Sequence, residues 1–160
     1  MNILRIALSL TSLFSLVSAF GLRGSGVVSD CNPTSLFHFD SATLEPTNPL
    51  PDTNITLSLN FTNSYSVVTD GNVDYLINFN GLPYSYTEPL CTPSLPCPIE
   101  LGTHTVYSEP INPGTSAGKL SIQANYKDLA ENSLLCVKTV IRLFNTANQK
   151  ALIVVPTDEN

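Results

Sequence analysis

Between Asn54 and Thr62 every second residue is apolar: Ile55, Leu57, Leu59 and Phe61 alternate with Asn54, Thr56, Ser58, Asn60 and Thr62. Successive side chains of a strand point to opposite faces, so this segment buries one clean face only as a β-strand. Burying those four side chains stabilises a fold by roughly 1.5 to 3 kcal/mol each before entropy is counted. The same period returns in Val73, Tyr75, Ile77 and Phe79, and again in Leu120, Ile122, Ala124 and Tyr126. The run Tyr65 to Thr69, then the turn signal Asp70-Gly71-Asn72, then Val73 predicts a hairpin across those three residues. Leu134 to Phe144 is apolar nearly throughout, as expected of a strand covered on both faces, and Lys127 to Ser133 is the polar loop leading into it. Shorter strands are expected at Leu36 to Leu44 and Thr103 to Glu109. No stretch carries a helical period, and 12 Pro with 8 Gly interrupt the chain often. Seven or eight short strands predict an all-β fold, a two-sheet sandwich of immunoglobulin-like architecture.

At 160 residues there is room for one such domain. Its start reads as a targeting segment: Arg5, the apolar run Ile6 to Val17, and the small residues Val17-Ser18-Ala19 that signal peptidase recognises. That run falls short of the roughly 18 residues a membrane span needs. Residues 1–19 are therefore read as a cleaved signal, 20–30 as a flexible N-terminal segment, 31–155 as the folded domain and 156–160 as a tail. Loss of Arg5 takes the formal charge from -6 to -7. An acidic chain lacks the basic footprint of nucleic-acid binding, so nucleic acid is not expected as a partner. The chain is expected to be a monomer, secreted or held in the endolysosomal lumen. All four cysteines, Cys31, Cys91, Cys97 and Cys136, follow the signal, and in an oxidising compartment two disulfides are the default. Three pairings are open. Cys91 and Cys97 flank a short loop stiffened by Pro93 and Pro96, a natural local bridge that would leave Cys31 to Cys136. Zinc has no Cys-x-x-Cys pair or nearby histidine to hold it, and no metal or cofactor is expected.

Gly114-Thr115-Ser116-Ala117-Gly118 matches the Gly-x-Ser-x-Gly elbow of esterases. The elbow needs a strand before it and a helix after it, whereas Pro110 and Pro113 precede this segment and a strand is expected to follow. His38 and His104 both come before Ser116, the reverse of that fold's order. Ser116 reads as a loop residue, and no catalytic residue is assigned. Asn54-Ile55-Thr56 and Asn60-Phe61-Thr62 are N-glycosylation sequons on the polar face of their strand, so glycans on Asn54 and Asn60 would leave the apolar face untouched.

Cys97-Pro98-Ile99, Gly102, Pro110, the strand Leu120 to Tyr126, Lys127-Asp128 and Leu134-Leu135-Cys136-Val137 together resemble the ML lipid-recognition domain. That family includes phosphatidylglycerol/phosphatidylinositol transfer proteins, a Niemann-Pick lysosomal sterol carrier and mite allergens. The likeness covers roughly Cys31 to Leu143 and departs from the family near Pro46 to Pro51, where a further cysteine pair is missing. It implies bonds Cys31–Cys136 and Cys91–Cys97, and a sandwich that opens between its sheets around a lipid. The candidate liners are Leu57, Leu59, Phe61, Tyr75, Ile77, Phe79, Leu120, Ile122 and Val137. The function implied is a non-enzymatic carrier of phospholipid (phosphatidylglycerol or phosphatidylinositol) or sterol, in transient contact with membranes. A secreted immunoglobulin-like recognition or adhesion module with a solid core is the alternative, and a small esterase the third reading.

Overall fold

The alternating segment becomes the middle strand of a three-stranded sheet. In the computed structural model residues 25–144 are described. They form eight strands and no helix: β1 (Ser25–Asp30), β2 (Phe37–Glu45), β3 (Thr56–Asn63), β4 (Gly71–Phe79), β5 (Leu82–Pro89), β6 (Gly102–Tyr107), β7 (Gly118–Asp128) and β8 (Ser133–Leu143). One sheet runs β1-β8-β7-β4-β5 and the other β2-β3-β6, with every pairing antiparallel. The result is the expected two-sheet sandwich.

Register puts the apolar residues in rows across each sheet. On the larger sheet Tyr86, Tyr75, Ala124 and Val137 lie side by side, and the next row is Tyr84, Ile77, Ile122 and Thr139. On the smaller sheet Leu59 stands between Ala42 and Val106, and Leu57 beside Leu44. These two inner surfaces face each other. β8 buries Leu134 and Cys136 as well as Leu135 and Val137, which accounts for its nearly unbroken apolar sequence.

The two long edges of the sandwich differ. Along one, β2 packs onto β1 and β8, and Gly26 of β1 lies against the Leu44 side chain so closely that a Cβ at 26 would run into it. The disulfide Cys31–Cys136, separated by 105 residues, ties the end of β1 to β8. Along the other edge β5 and β6 make no close approach among the described residues. There the second disulfide, Cys91–Cys97, closes a loop of sequence separation 6 just after β5.

Three sequence expectations need correction. The hairpin is not formed across Asp70-Gly71-Asn72. β4 turns instead at Asn80-Gly81 into β5, with positive φ at both residues (52° and 92°), the conformation a two-residue hairpin turn requires. Tyr65 to Thr69 contributes one bridge, Val68 with Ile99. Gly71 is buried and begins β4, where a Cβ would strike the Lys127 carbonyl, so its small size serves a close backbone approach rather than a turn. Second, β5 itself was not foreseen, because Pro83 and Pro89 break its pattern. An edge strand tolerates proline, having a side on which no ladder bond is needed. Third, residues 25–30, placed in a flexible segment, are β1, paired with β8 from Ser25↔Arg142 to Asp30↔Val137. The strands expected at 36–44 and 103–109 appear as β2 and β6, and residues 151–155, read as the end of the folded domain, lie outside the described residues.

Candidate functional site

A cavity of about 520 Å³ lies between the sheets, within the range of small-molecule sites. Its roof is built from Leu44, Ile55, Leu57, Leu59 and Val106; its floor from Tyr75, Ile122, Ala124, Tyr126, Val137, Thr139 and Ile141. The hollow follows from side-chain size: Ala124 and Thr139 are the short members of the two floor rows, flanked by Tyr75 and Ile122. A sandwich of this size ordinarily has one contiguous core. Here the buried apolar residues fall into two groups. One gathers Phe37, Phe61, Val73, Leu134 and Leu135; the other gathers Leu44, Ile55, Leu120, Ile141 and Leu143. Both contribute to the cavity wall.

The cavity reaches solvent where β5 and β6 diverge. Its rim carries Tyr86, Glu88 and Pro89 of β5, then Thr92, Pro93, Ser94 and Leu95 of the disulfide loop, and Ser108, Glu109 and Ile111 beyond β6. Ser108 fixes its side of the rim, donating its backbone N–H to the Leu57 carbonyl (2.8 Å) while its Oγ accepts the Leu57 N–H (2.9 Å). Thr92 and Leu95 exchange backbone bonds of 3.0 and 3.1 Å across the short loop.

The polar groups of the wall are hydroxyls and carboxylates. Tyr75 and Tyr86 stack with ring centroids 4.9 Å apart, and Tyr84 follows Tyr86 at 5.7 Å. Burial, then the charges of Glu88 and Tyr86, pushes the Tyr75 phenol up to about 12. Burial likewise raises Tyr126, with Tyr75 adding to it, and raises Tyr86, helped by Glu88. All three stay neutral phenols at physiological pH. The hydroxyls of Tyr75, Tyr126 and Thr139 make no hydrogen bond among the described residues, and no buried side-chain polar atom is sealed without a partner. All three residues line the cavity.

Of the nine residues expected as liners, Leu57, Leu59, Tyr75, Ile122 and Val137 are on the wall. The other four are not. Phe61 is stacked between Phe37 and His104, each at 5.3 Å, and fills one packed end. Leu120 belongs to the opposite packed group, with Ile77 and Phe79 against it. Alternation tells which way a side chain faces, not how far along the strand a hollow lies. Leu44, Val106, Thr139, Tyr86 and Glu88 were missed; for the last two the signal was Leu82, Tyr84, Tyr86 and Glu88 alternating directly after Asn80-Gly81.

The remaining candidate groups sit elsewhere. Ser116 is exposed in the loop before β7, so a strand follows it. His104 on β6 places Nε2 2.8 Å from the Glu100 carbonyl, and His38 on β2 lies 3.7 Å from Asp40. Asn54 is exposed. Asn60 spans the outer face of its sheet, its amide donating to Ser41 (3.0 Å) and accepting from Thr105 (2.7 Å). No group of three potential metal ligands occurs among the described residues.

Residues 26–143, from β1 to the end of β8, match the family model described as the ML domain. The chain belongs to the ML domain family. Its fold is similar to that of chicken MD-1, solved in complex with lipid IVa, with a TM-score of 0.51 and 15% identity over 75% of this chain and 90% of that one. It is also similar to a Niemann-Pick type C2 protein from Japanese carpenter ant, with a TM-score of 0.52 and 18% identity over 74% of this chain and 99% of that one. No curated protein matches the chain significantly in sequence. Both disulfides of this ML domain pair as the resemblance implied, one at each edge of the sandwich.

Proposed function

We propose that this ML domain is a secreted or endolysosomal lipid carrier that holds a phospholipid or sterol between its sheets and moves it between membranes without covalent chemistry. The observation that carries this reading is the apolar cavity between the sheets, bordered by both groups of core residues and open between β5 and β6. An acyl chain or sterol ring in this space replaces water against an apolar wall, each buried methylene contributing about 0.8 kcal/mol relative to water. Because a bilayer offers the same gain, a carrier needs only a comparably apolar wall to extract its lipid at small net cost. The lipid IVa bound by MD-1 supports the reading. A solid-cored recognition module has no use for such a cavity.

The test is mass spectrometry of organic extracts from natively purified protein, beside vesicle uptake by delipidated protein. One lipid per chain, or uptake from vesicles, is expected. A folded protein that neither carries nor takes up lipid would return the recognition module to first place.

A further inference from the structure

Resting on the carrier reading, the geometry points to a lipid whose polar head carries an ammonium group, of the phosphocholine or phosphoethanolamine kind, rather than a head of net negative charge. Among the described residues, the cavity wall and rim contain two carboxylates, Glu88 and Glu109, and no lysine, arginine or histidine. Every lysine and arginine among the described residues lies on β7 or β8. Lys119, Lys127, Lys138 and Arg142 occupy the positions that alternate with the inward-facing Leu120, Tyr126, Val137 and Ile141, so they point away from the cavity. Lys127 is also bonded to Asp74 (2.8 Å) and Glu131 (2.9 Å). An anionic head lodged at this mouth would meet two like charges and, among the described residues, no counter-charge.

An ammonium meets the opposite surroundings. Glu88 and Glu109 stand on the two sides of the opening, at the end of β5 and just past β6. Next to Glu88 are the stacked rings of Tyr75 and Tyr86, and Tyr84 carries the aromatic series outward. A carboxylate beside an aromatic cluster is the combination that attracts an alkylated ammonium, through charge and through the ring quadrupole. That Glu88 raises the pKa of both Tyr75 and Tyr86 is consistent with its charge being felt across this cluster. The neutral phenols facing the cavity can donate to the ester or phosphate oxygens behind the ammonium.

The experiment uses delipidated protein and neutral vesicles carrying a trace of fluorescent lipid, either phosphatidylcholine or phosphatidylglycerol with identical tails. Membrane charge is then the same in both arms. Phosphatidylcholine is expected to be taken up about tenfold better than phosphatidylglycerol. Glu88→Gln with Glu109→Gln, both exposed, should bring the ratio towards one with the melting temperature unchanged. Equal or preferred uptake of phosphatidylglycerol, or a ratio the double variant does not move, overturns the proposal. Uptake of a fluorescent sterol alone also overturns it while leaving the carrier reading intact; uptake of no lipid by folded protein removes both.

Discussion

The two edges of the sandwich are built from the same kinds of strand and end up opposite in character. At the closed edge, β1 and β2 meet because residue 26 has no side chain to obstruct Leu44, and Cys31–Cys136 locks β1 to β8. At the open edge, β5 brings Tyr86 and Glu88 to the rim of the cavity with Tyr84 exposed beyond them, and β5 makes no close approach to β6. A small residue at one edge and a row of tyrosines at the other decide where the sandwich shuts. The two disulfides accordingly have separate tasks: one holds the fold together, the other shapes the rim of the cavity.

The largest effect should come from the closed edge. Cys31→Ser with Cys136→Ser removes a long loop closure and should lower stability by roughly 4 to 5 kcal/mol in denaturant unfolding. Cys91→Ser with Cys97→Ser should lower it by only about 2 kcal/mol on the same model, while accelerating lipid release through a looser rim. Equal losses of stability from the two pairs would break the comparison. A weaker effect belongs to the tyrosines of the open edge. The Tyr75 phenol has its folded pKa raised from the ordinary 10.0 to about 12. Its contribution to stability is therefore complete below pH 10 and lost as the pH rises towards 12. Tyr75→Phe should flatten the alkaline fall in melting temperature over that window; an unaltered profile would place the phenol in water. Ser116→Ala, in an exposed loop, should change stability by less than about 0.5 kcal/mol and leave lipid uptake untouched. Loss of an ester-hydrolysing activity in that variant, with the fold intact, would give the loop a chemistry the present account denies it.

Most of the sandwich was legible because alternation is a local property. Ile55, Leu57, Leu59 and Phe61 declare their face whatever lies opposite, and β7 and β8 do the same. The edges were not legible, because what defines them is the absence of a neighbour. Pro83 and Pro89 interrupt the pattern of β5, which as an edge strand has one unpaired side and tolerates them, and the short segment 25–30 is a strand only through its pairing with β8. Gly71 looked like a turn residue because close approach of the Lys127 carbonyl leaves no trace in sequence. The cavity was legible in direction but not in depth. Leu57, Leu59, Tyr75, Ile122 and Val137 line it, while Phe61 and Leu120, facing the same interior, fill the packed ends. Which rows stay hollow depends on where the short side chains Ala124 and Thr139 fall relative to Leu57, Leu59 and Val106 of the opposite sheet, a long-range relation.

Ala124 offers the most direct measurement. It is buried at the centre of the floor, where a larger side chain would occupy the space assigned to lipid. In a solid core, Ala124→Phe would overpack and cost about 1 to 3 kcal/mol. If the space is a lipid cavity, the phenyl ring fills it: the melting temperature of delipidated Ala124→Phe should hold or rise, and lipid uptake from vesicles should be lost. A destabilised variant that still takes up lipid at the normal rate would contradict the account.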